Sequence, residues 1–281
     1  MIDLHVHSAA SDGELAPAAV ARHAADCGLE TFALTDHDTL DGVAEAADAG
    51  VQLGVRVLAG CEFSVAASWG EMHLLGYFLP AEDAGLTAFL ADQRAKRLRR
   101  ARKMVDRLRR LGQDVTLEDV LAEAMHGAVG RPHVARALRR RGRVDSVNEA
   151  FLKYLRSGRP AFVPKELPSI EEVTGIIRAL GGVSSAAHLA MRATPGTLAE
   201  LQDRGLDAVE ARHPSHDDVT SRRIESWADA VGLLKTGGTD WHGPSEEPDR
   251  APFGGVVVPH EWLLELEALH QRRISTSEDS R

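Results

Sequence analysis

The 281-residue chain is 43% hydrophobic and 27% charged, an ordinary globular composition, and is long enough for one large domain or one domain carrying a sizeable insertion. It has no apolar run of the roughly 18 or more residues needed to cross a bilayer, no signal-like N-terminus and only two cysteines, so membrane and disulfide-stapled classes are excluded and a reducing cytoplasm is expected. The net charge of −9 is uneven, because residues 81–170 hold 20 Lys+Arg against 11 Asp+Glu while the rest holds 13 against 31.

Residues 2–6 read as a strand and 17–27 as a helix, with Pro17 in its first turn and Gly28 just past its end. A short apolar strand at 31–35, a helix at 43–49 ending at Gly50, and strands at 55–59 and 72–79 follow. From 82 to 167 strand signals nearly vanish. Leu98, Ala101, Val105 and Leu108 share one face of a long helix over 86–111, and shorter helices are expected at 117–125, 132–140 and 147–155. Beyond 171 the alternation resumes, with strands at 183–187, 208–210 and 233–236 and a last helix near 261–271. Strands alternating with helices imply parallel pairing, as a barrel or a doubly wound sheet. The expected division is a barrel from 1–80 and 171–272, a basic helical insertion at 81–170 that serves as a substrate lid, and a disordered tail at 273–281.

The 13 histidines outnumber the tyrosines, of which there are 2, and many of them fall at predicted strand ends. His5 and His7 close the first strand, with Asp12 just after; His37 follows the second, Glu62 the third and His73 lies on the fourth. His188 follows the post-insertion strand, and Asp240 and His242 the last. The carboxyl ends of parallel strands converge on one face. Residues two apart on a strand point the same way, so His5 and His7 can reach one ion. Nine such groups exceed what one ion takes from protein, which implies two or three ions sharing bridging ligands. Imidazole and carboxylate without thiolate suit zinc, manganese or iron. Cys61 adjoins Glu62 but alternation turns it to the opposite face, into the core.

Asp3-Leu4-His5-Val6-His7-Ser8, Ser11-Asp12-Gly13, Thr35-Asp36-His37-Asp38-Thr39, Gly60-Cys61-Glu62-Phe63-Ser64, His73-Leu74-Leu75-Gly76, Ala187-His188 and Asp240-Trp241-His242-Gly243 resemble, in order, the motifs of the PHP (polymerase and histidinol phosphatase) superfamily. Gly130-Arg131-Pro132-His133 and Gly158-Arg159-Pro160-Ala161-Phe162-Val163-Pro164-Lys165 resemble the nucleoside 3′,5′-bisphosphate phosphatase and short-RNA 5′→3′ exoribonuclease group within it. The resemblance implies an α/β fold, a distorted (β/α)7 barrel with a helical insertion. It also implies one metal on His5, His7, Glu62 and Asp240, a second on Glu62, His73 and His188, and a third on Asp12, His37 and His242. Leu189 after His188 and Trp241 between the last ligands depart from the usual pattern, at positions that are not ligands.

The expected chemistry is hydrolysis of a phosphate ester by metal-activated hydroxide held by Asp12, His37, Glu62 and His242, without a covalent intermediate. Asp36 and Asp38 are expected to orient His37, and His213 or His216 to act as a general acid. Arg131, His133, Lys165 and Arg192 are the candidate contacts to a phosphorylated nucleotide or short RNA end. The ten Lys+Arg of 94–110 read as a solvated helix face or, alternatively, as a basic lid guiding an anionic end. Histidinol-phosphate phosphatase or another small phosphomonoesterase, an amidohydrolase, and a non-enzymatic metal-binding scaffold are the competing readings.

Overall fold

The computed structural model describes residues 1–124, 127–244 and 251–278. Its first part runs β1 (Ile2–Val6), α1 (Pro17–Asp26), β2 (Thr31–Leu34), α2 (Val43–Leu53), β3 (Arg56–Ala67) and β4 (Gly70–Tyr77). Helices then take over: α3 (Ala84–Arg110), α4 (Leu117–Ala124), α5 (Arg131–Arg140) and α6 (Val147–Ala150), which continues as a π-helical turn, Phe151–Leu155. The last part is α7 (Ile170–Ala179), β5 (Val183–Ala186), α8 (Pro195–Asp203), β6 (Ala208–Arg212), α9 (Asp218–Val231), β7 (Leu234–Gly237) and α10 (His260–Glu278). No helix of the described residues is long and apolar enough to cross a membrane.

The seven strands form one sheet in chain order, curled so that Val6 of β1 bridges Trp241 just past β7 and the His7 N–H donates to Trp241 O at 2.8 Å. This is the expected α/β barrel, nearly closed. It departs from uniform parallel pairing at β4, which runs antiparallel to both β3 and β5. The cause is local: only Ser68 and Trp69 separate β3 from β4, a hairpin connection too short for a crossover helix. For the same reason β3 does not end at Glu62 but runs on to Ala67. At Gly238, just after β7, a Cβ would lie 2.5 Å from the Cβ of His5, so only glycine lets the closing strand approach β1 there.

Helix ends follow capping chemistry. Asp83, Ser169, Thr194 and Asp217 each accept a backbone N–H at the starts of α3, α7, α8 and α9. The helix expected to stop at Gly50 instead runs to Leu53, because Gly54 (φ 71°) supplies the left-handed cap. The tail expected to be disordered from 273 is helical as far as Glu278. His270 Nδ1 lies 2.8 Å from Gly181 O and Arg273 pairs with Asp207 and Gly182 O, which ties α10 to the barrel. Residues 279–281 and the expected helix end at Met125 lie outside the described residues.

Two separate apolar cores are buried. One fills the barrel and its helices, from Leu4, Phe32, Phe63 and Cys61 to Leu266; the other, around Met104, Leu108, Val120, Leu138 and Leu155, lies wholly within the helical segment. Leu98, Ala101, Val105 and Leu108 of α3 pack into that second core, as their spacing predicts.

Candidate metal centre

The barrel's curl brings the strand-end polar groups to one rim. His5 and His7 leave β1 on the same side, and Glu62 reaches them from the middle of β3. His73 enters from the reversed strand β4, where it pairs in register with Ser64. His188 and Asp240, beyond β5 and β7, adopt left-handed backbone (φ 33° and 50°), which non-glycine residues hold only under constraint.

Four donor atoms form a compact cage. His5 Nε2 and His7 Nε2 are 3.1 Å apart, His5 Nε2 is 3.4 Å from Glu62 Oε2 and 3.3 Å from Asp240 Oδ1, and His7 Nε2 is 3.1 and 3.2 Å from the same oxygens. Ligands bonded at about 2.0–2.1 Å to a tetrahedral ion stand roughly 3.3 Å apart. The other Glu62 oxygen, Oε1, lies 2.8 Å from His73 Nδ1 and 3.1 Å from His188 Nε2. His37 faces two ways, with Nδ1 3.2 Å from Glu62 Oε2 and Nε2 3.8 Å from Asp12 Oδ2, while His242 Nε2 lies 3.3 Å from Asp12 Oδ1. His37 Nδ1 is buried, and for all its closeness to Glu62 makes no hydrogen bond. A buried donor atom left unpaired beside a carboxylate fits an ion held between the two.

The electrostatics agree. Burial penalises the charge of Glu62, yet His37, His73 and His5 hold its carboxyl well below the usual range. Asp12 and Asp240 are held low against the same penalty by the imidazoles facing them. Burial also opposes charge on His7 and His73, but Asp240 and Glu62 raise the first to about 10, and Glu62 with Glu71 the second to about 9. Carboxylates this buried demand positive charge, which a divalent cation supplies in place of imidazole protons.

A PHP-domain model matches residues 3–157, more than half of the chain. The protein belongs to the PHP family. It is similar to a 3′,5′-nucleoside bisphosphate phosphatase of Chromobacterium violaceum, 35% identical over 92% of this chain and 90% of the relative. It is also similar to a 5′-3′ exoribonuclease of Haemophilus influenzae, 32% identical over 86% of this chain and 90% of that one. Among solved structures, a Bifidobacterium adolescentis protein described as a metal-dependent phosphoesterase superposes with a TM-score of 0.85 at 30% identity, covering 95% of this chain and 96% of its own. The family and the cage together support divalent metal binding.

Around this PHP centre several assignments change. Asp36 does not orient His37; it accepts from Ser8 N (2.8 Å), Ser8 Oγ (2.6 Å) and Ser11 Oγ (2.6 Å), pinning the turn that presents Asp12. Asp38 does not either, because Arg97 Nε draws its carboxylate away at 2.6 Å. Arg97 and Arg100 are buried rather than solvated: Arg97 also reaches Ser64 Oγ (3.4 Å), and Arg100 donates to Val163 O (2.7 Å). His216 is no free acid, since Nδ1 donates to Ala211 O (3.1 Å) and Nε2 accepts from Ala190 N (3.1 Å). Trp241 stacks on His23 and Phe253, with centroids 5.0 and 4.7 Å away, between Asp240 and His242 in sequence.

The four expected substrate contacts divide. Lys165 Nζ binds Glu71 and Ser64 Oγ, and Glu71 in turn lies 3.0 Å from His73 Nε2, so this lysine reaches the edge of the centre. Arg131 opens α5 with its guanidinium 5.9 Å from the ring centres of both Phe151 and Phe162. His133 is not a cation, because burial and the nearby Arg136 push it down to about 4. Its Nδ1 accepts from Gly130 N (2.9 Å), which leaves a buried, unpartnered Nε2–H. Arg192 is exposed, and among the described residues it forms no ion pair with any of the nine groups. Glu71, Arg97 and Glu210 were not anticipated. Glu210 ends a predicted strand as the candidate ligands do, and that position was the available signal.

Proposed function

We propose that the chain is a metal-dependent phosphoesterase that removes a phosphate from nucleoside 3′,5′-bisphosphates and trims short 5′-phosphorylated RNA from its 5′ end. The observation that carries this is Glu62, whose two oxygens stand among five imidazoles in one buried rim. That arrangement suits more than one cation around a shared carboxylate. His5, His7, Glu62 and Asp240 would hold one ion, Glu62, His73 and His188 a second, and Asp12, His37 and His242 a third, with manganese, iron or zinc suited to these donors. Bound metal supplies Lewis acidity and a lowered water pKa.

The chain's own residues do the rest. Lys165 is lowered to about 8 by burial and by Arg97, although Glu71 opposes this, and it remains a cation at neutral pH beside the centre. Arg131 is held between two aromatic faces at the start of a helix, where an anion is favoured. The neutral His133 can donate Nε2–H to a phosphoryl oxygen, and Asp36 holds Asp12 in place through the Ser8–Ser11 turn. The names of the two relatives support nucleotide and RNA substrates. Two cysteines with no disulfide support a cytoplasmic setting.

The test is metal-stripped protein reloaded with manganese, zinc or iron and assayed on adenosine 3′,5′-bisphosphate, a short 5′-phosphorylated RNA, histidinol phosphate and a generic amide. Phosphate release from the first and mononucleotide release from the second are expected. Turnover of histidinol phosphate or the amide alone would overturn the reading.

A further inference from the structure

We infer that the end of β6 and the loop after it, residues 210–216, form a layer behind the metal centre that fixes three ligands without contributing one, with Glu210 as its principal positioning residue.

Glu210 is completely buried and divides its two oxygens between two assigned ligands. Oε1 lies 3.0 Å from His5 Nδ1, and Oε2 accepts the backbone N–H of His188 at 2.6 Å. A buried carboxylate is costly unless its acceptor sites are filled, and these partners fill them. The first bond requires the proton of His5 to sit on Nδ1. The Nε2 lone pair is thereby aimed into the cage formed with His7, Glu62 and Asp240. The second bond acts on backbone, where His188 (φ 33°) and Ala190 (φ 49°) hold a conformation that side-chain-bearing residues resist. Glu210 anchors the first of these N–H groups and His216 Nε2 the second.

His213 extends the layer to a third ligand. Its Nδ1 accepts from Ser215 N at 3.0 Å, so its proton is on Nε2, which faces Asp240 Oδ2 at 3.5 Å. Asp240 Oδ1 is left to the cage. One short segment thus sets a tautomer at His5, a backbone bend at His188 and the choice of oxygen at Asp240. Those residues belong to both the first and the second assigned ions, so the layer keeps the two sites in register.

The inference rests on the ligand assignment above, and the test separates the two. Cobalt(II) is titrated into metal-stripped full-length wild type, Glu210→Gln and His213→Gln. The visible absorption of the bound ion is followed, and thermal unfolding of each metal-stripped protein is measured alongside. Glutamine keeps the size of Glu210 but loses its charge and sets an NH2 against a donor. Glu210→Gln should weaken cobalt binding by about 10- to 100-fold and change the absorption bands, with unfolding of the metal-stripped protein little altered. His213→Gln should change the bands with a smaller loss of affinity. Wild type that binds no cobalt through these residues overturns the ligand assignment. Wild-type binding with an unchanged affinity and spectrum in Glu210→Gln overturns the positioning role alone. If Glu210→Gln does not fold, His213→Gln decides, and an unaltered spectrum in it overturns the layer.

Discussion

The barrel rim and the helical segment handle charge in opposite ways. At the rim, Asp12, Glu62, Glu210 and Asp240 are enclosed among histidines, and nearly every polar atom faces another group of the centre. In the helical segment most cations stand in water or in ordinary surface pairs such as Arg141 with Asp119 and Lys153 with Glu149, while Arg97, Arg100 and Lys165 turn inward. The difference teaches where each task resides. A rim built on strands is held rigid by backbone pairing and can keep several ligands in register. A separate helical core can vary without disturbing that rim.

The sharpest break of that comparison is at Glu62. Replacing it with glutamine removes charge from two of the three assigned sites, so turnover should fall by more than about a thousandfold, with loss of bound metal. Metal content and single-turnover rates check this, and near-normal rates would place the chemistry elsewhere. The converse cut is Leu138→Ala in the second core, a buried large-to-small change expected to cost about 2–5 kcal/mol. If the two cores are energetically separate, calorimetry should show the helical segment melting early while metal affinity at the rim stays unchanged.

Arg131→Ala should act on binding rather than on chemistry. Loss of a charge-assisted contact of about 1.5–3 kcal/mol corresponds to a rise in KM on a nucleoside bisphosphate of roughly 10- to 100-fold, with little change on a generic activated ester. Equal losses on both substrates would remove its assigned role. Lys165 adds a pH signature. Burial lowers it to about 8, so the folded protein disfavours its charged form and the cation is lost as pH rises through that value. KM should therefore climb about tenfold per pH unit above 8, and Lys165→Arg, which stays charged, should move that limb to higher pH. A KM that is flat to pH 10 in the wild type would exclude Lys165 from substrate binding.

What the sequence disclosed follows from how each feature is encoded. His5 and His7 were legible because strand geometry forces residues two apart onto one side, and Asp240 with His242 repeats the spacing. The barrel was legible from alternation, but the reversal of β4 was not, because direction depends on a two-residue hairpin rather than on hydrophobic period. Arg97 and Arg100 were hidden in a run of ten cations, since helical spacing locates an apolar stripe but does not tell which flanking arginine meets a carboxylate or carbonyl across the fold. Asp36 and Asp38 flank His37 in sequence yet turn to Ser8, Ser11 and Arg97, because neighbours on a chain rarely share a direction. Glu210 lies 205 residues from His5, and such a pair is visible only once the barrel curls so that β7 alone separates β6 from β1.

The smallest expected effect tests the outer face of the segment. Arg102 and Arg110 on α3 are exposed and take part in no ion pair among the described residues, whereas Arg97 and Arg100 on the same helix are buried. Surface substitutions of this kind change stability by no more than about 0.5 kcal/mol. On a bisphosphonucleotide, which is too short to leave the rim, Arg102→Ala combined with Arg110→Ala should alter kcat/KM by less than about twofold. A short RNA is the discriminating substrate, because its downstream phosphates extend outward from the centre. If the outer face draws the strand in, the double variant should lose rate on RNA at low ionic strength and regain parity as salt screens the interaction over about 10 Å at 0.1 M. Equal rates on RNA at every salt concentration would confine substrate recognition to the inward-facing cations.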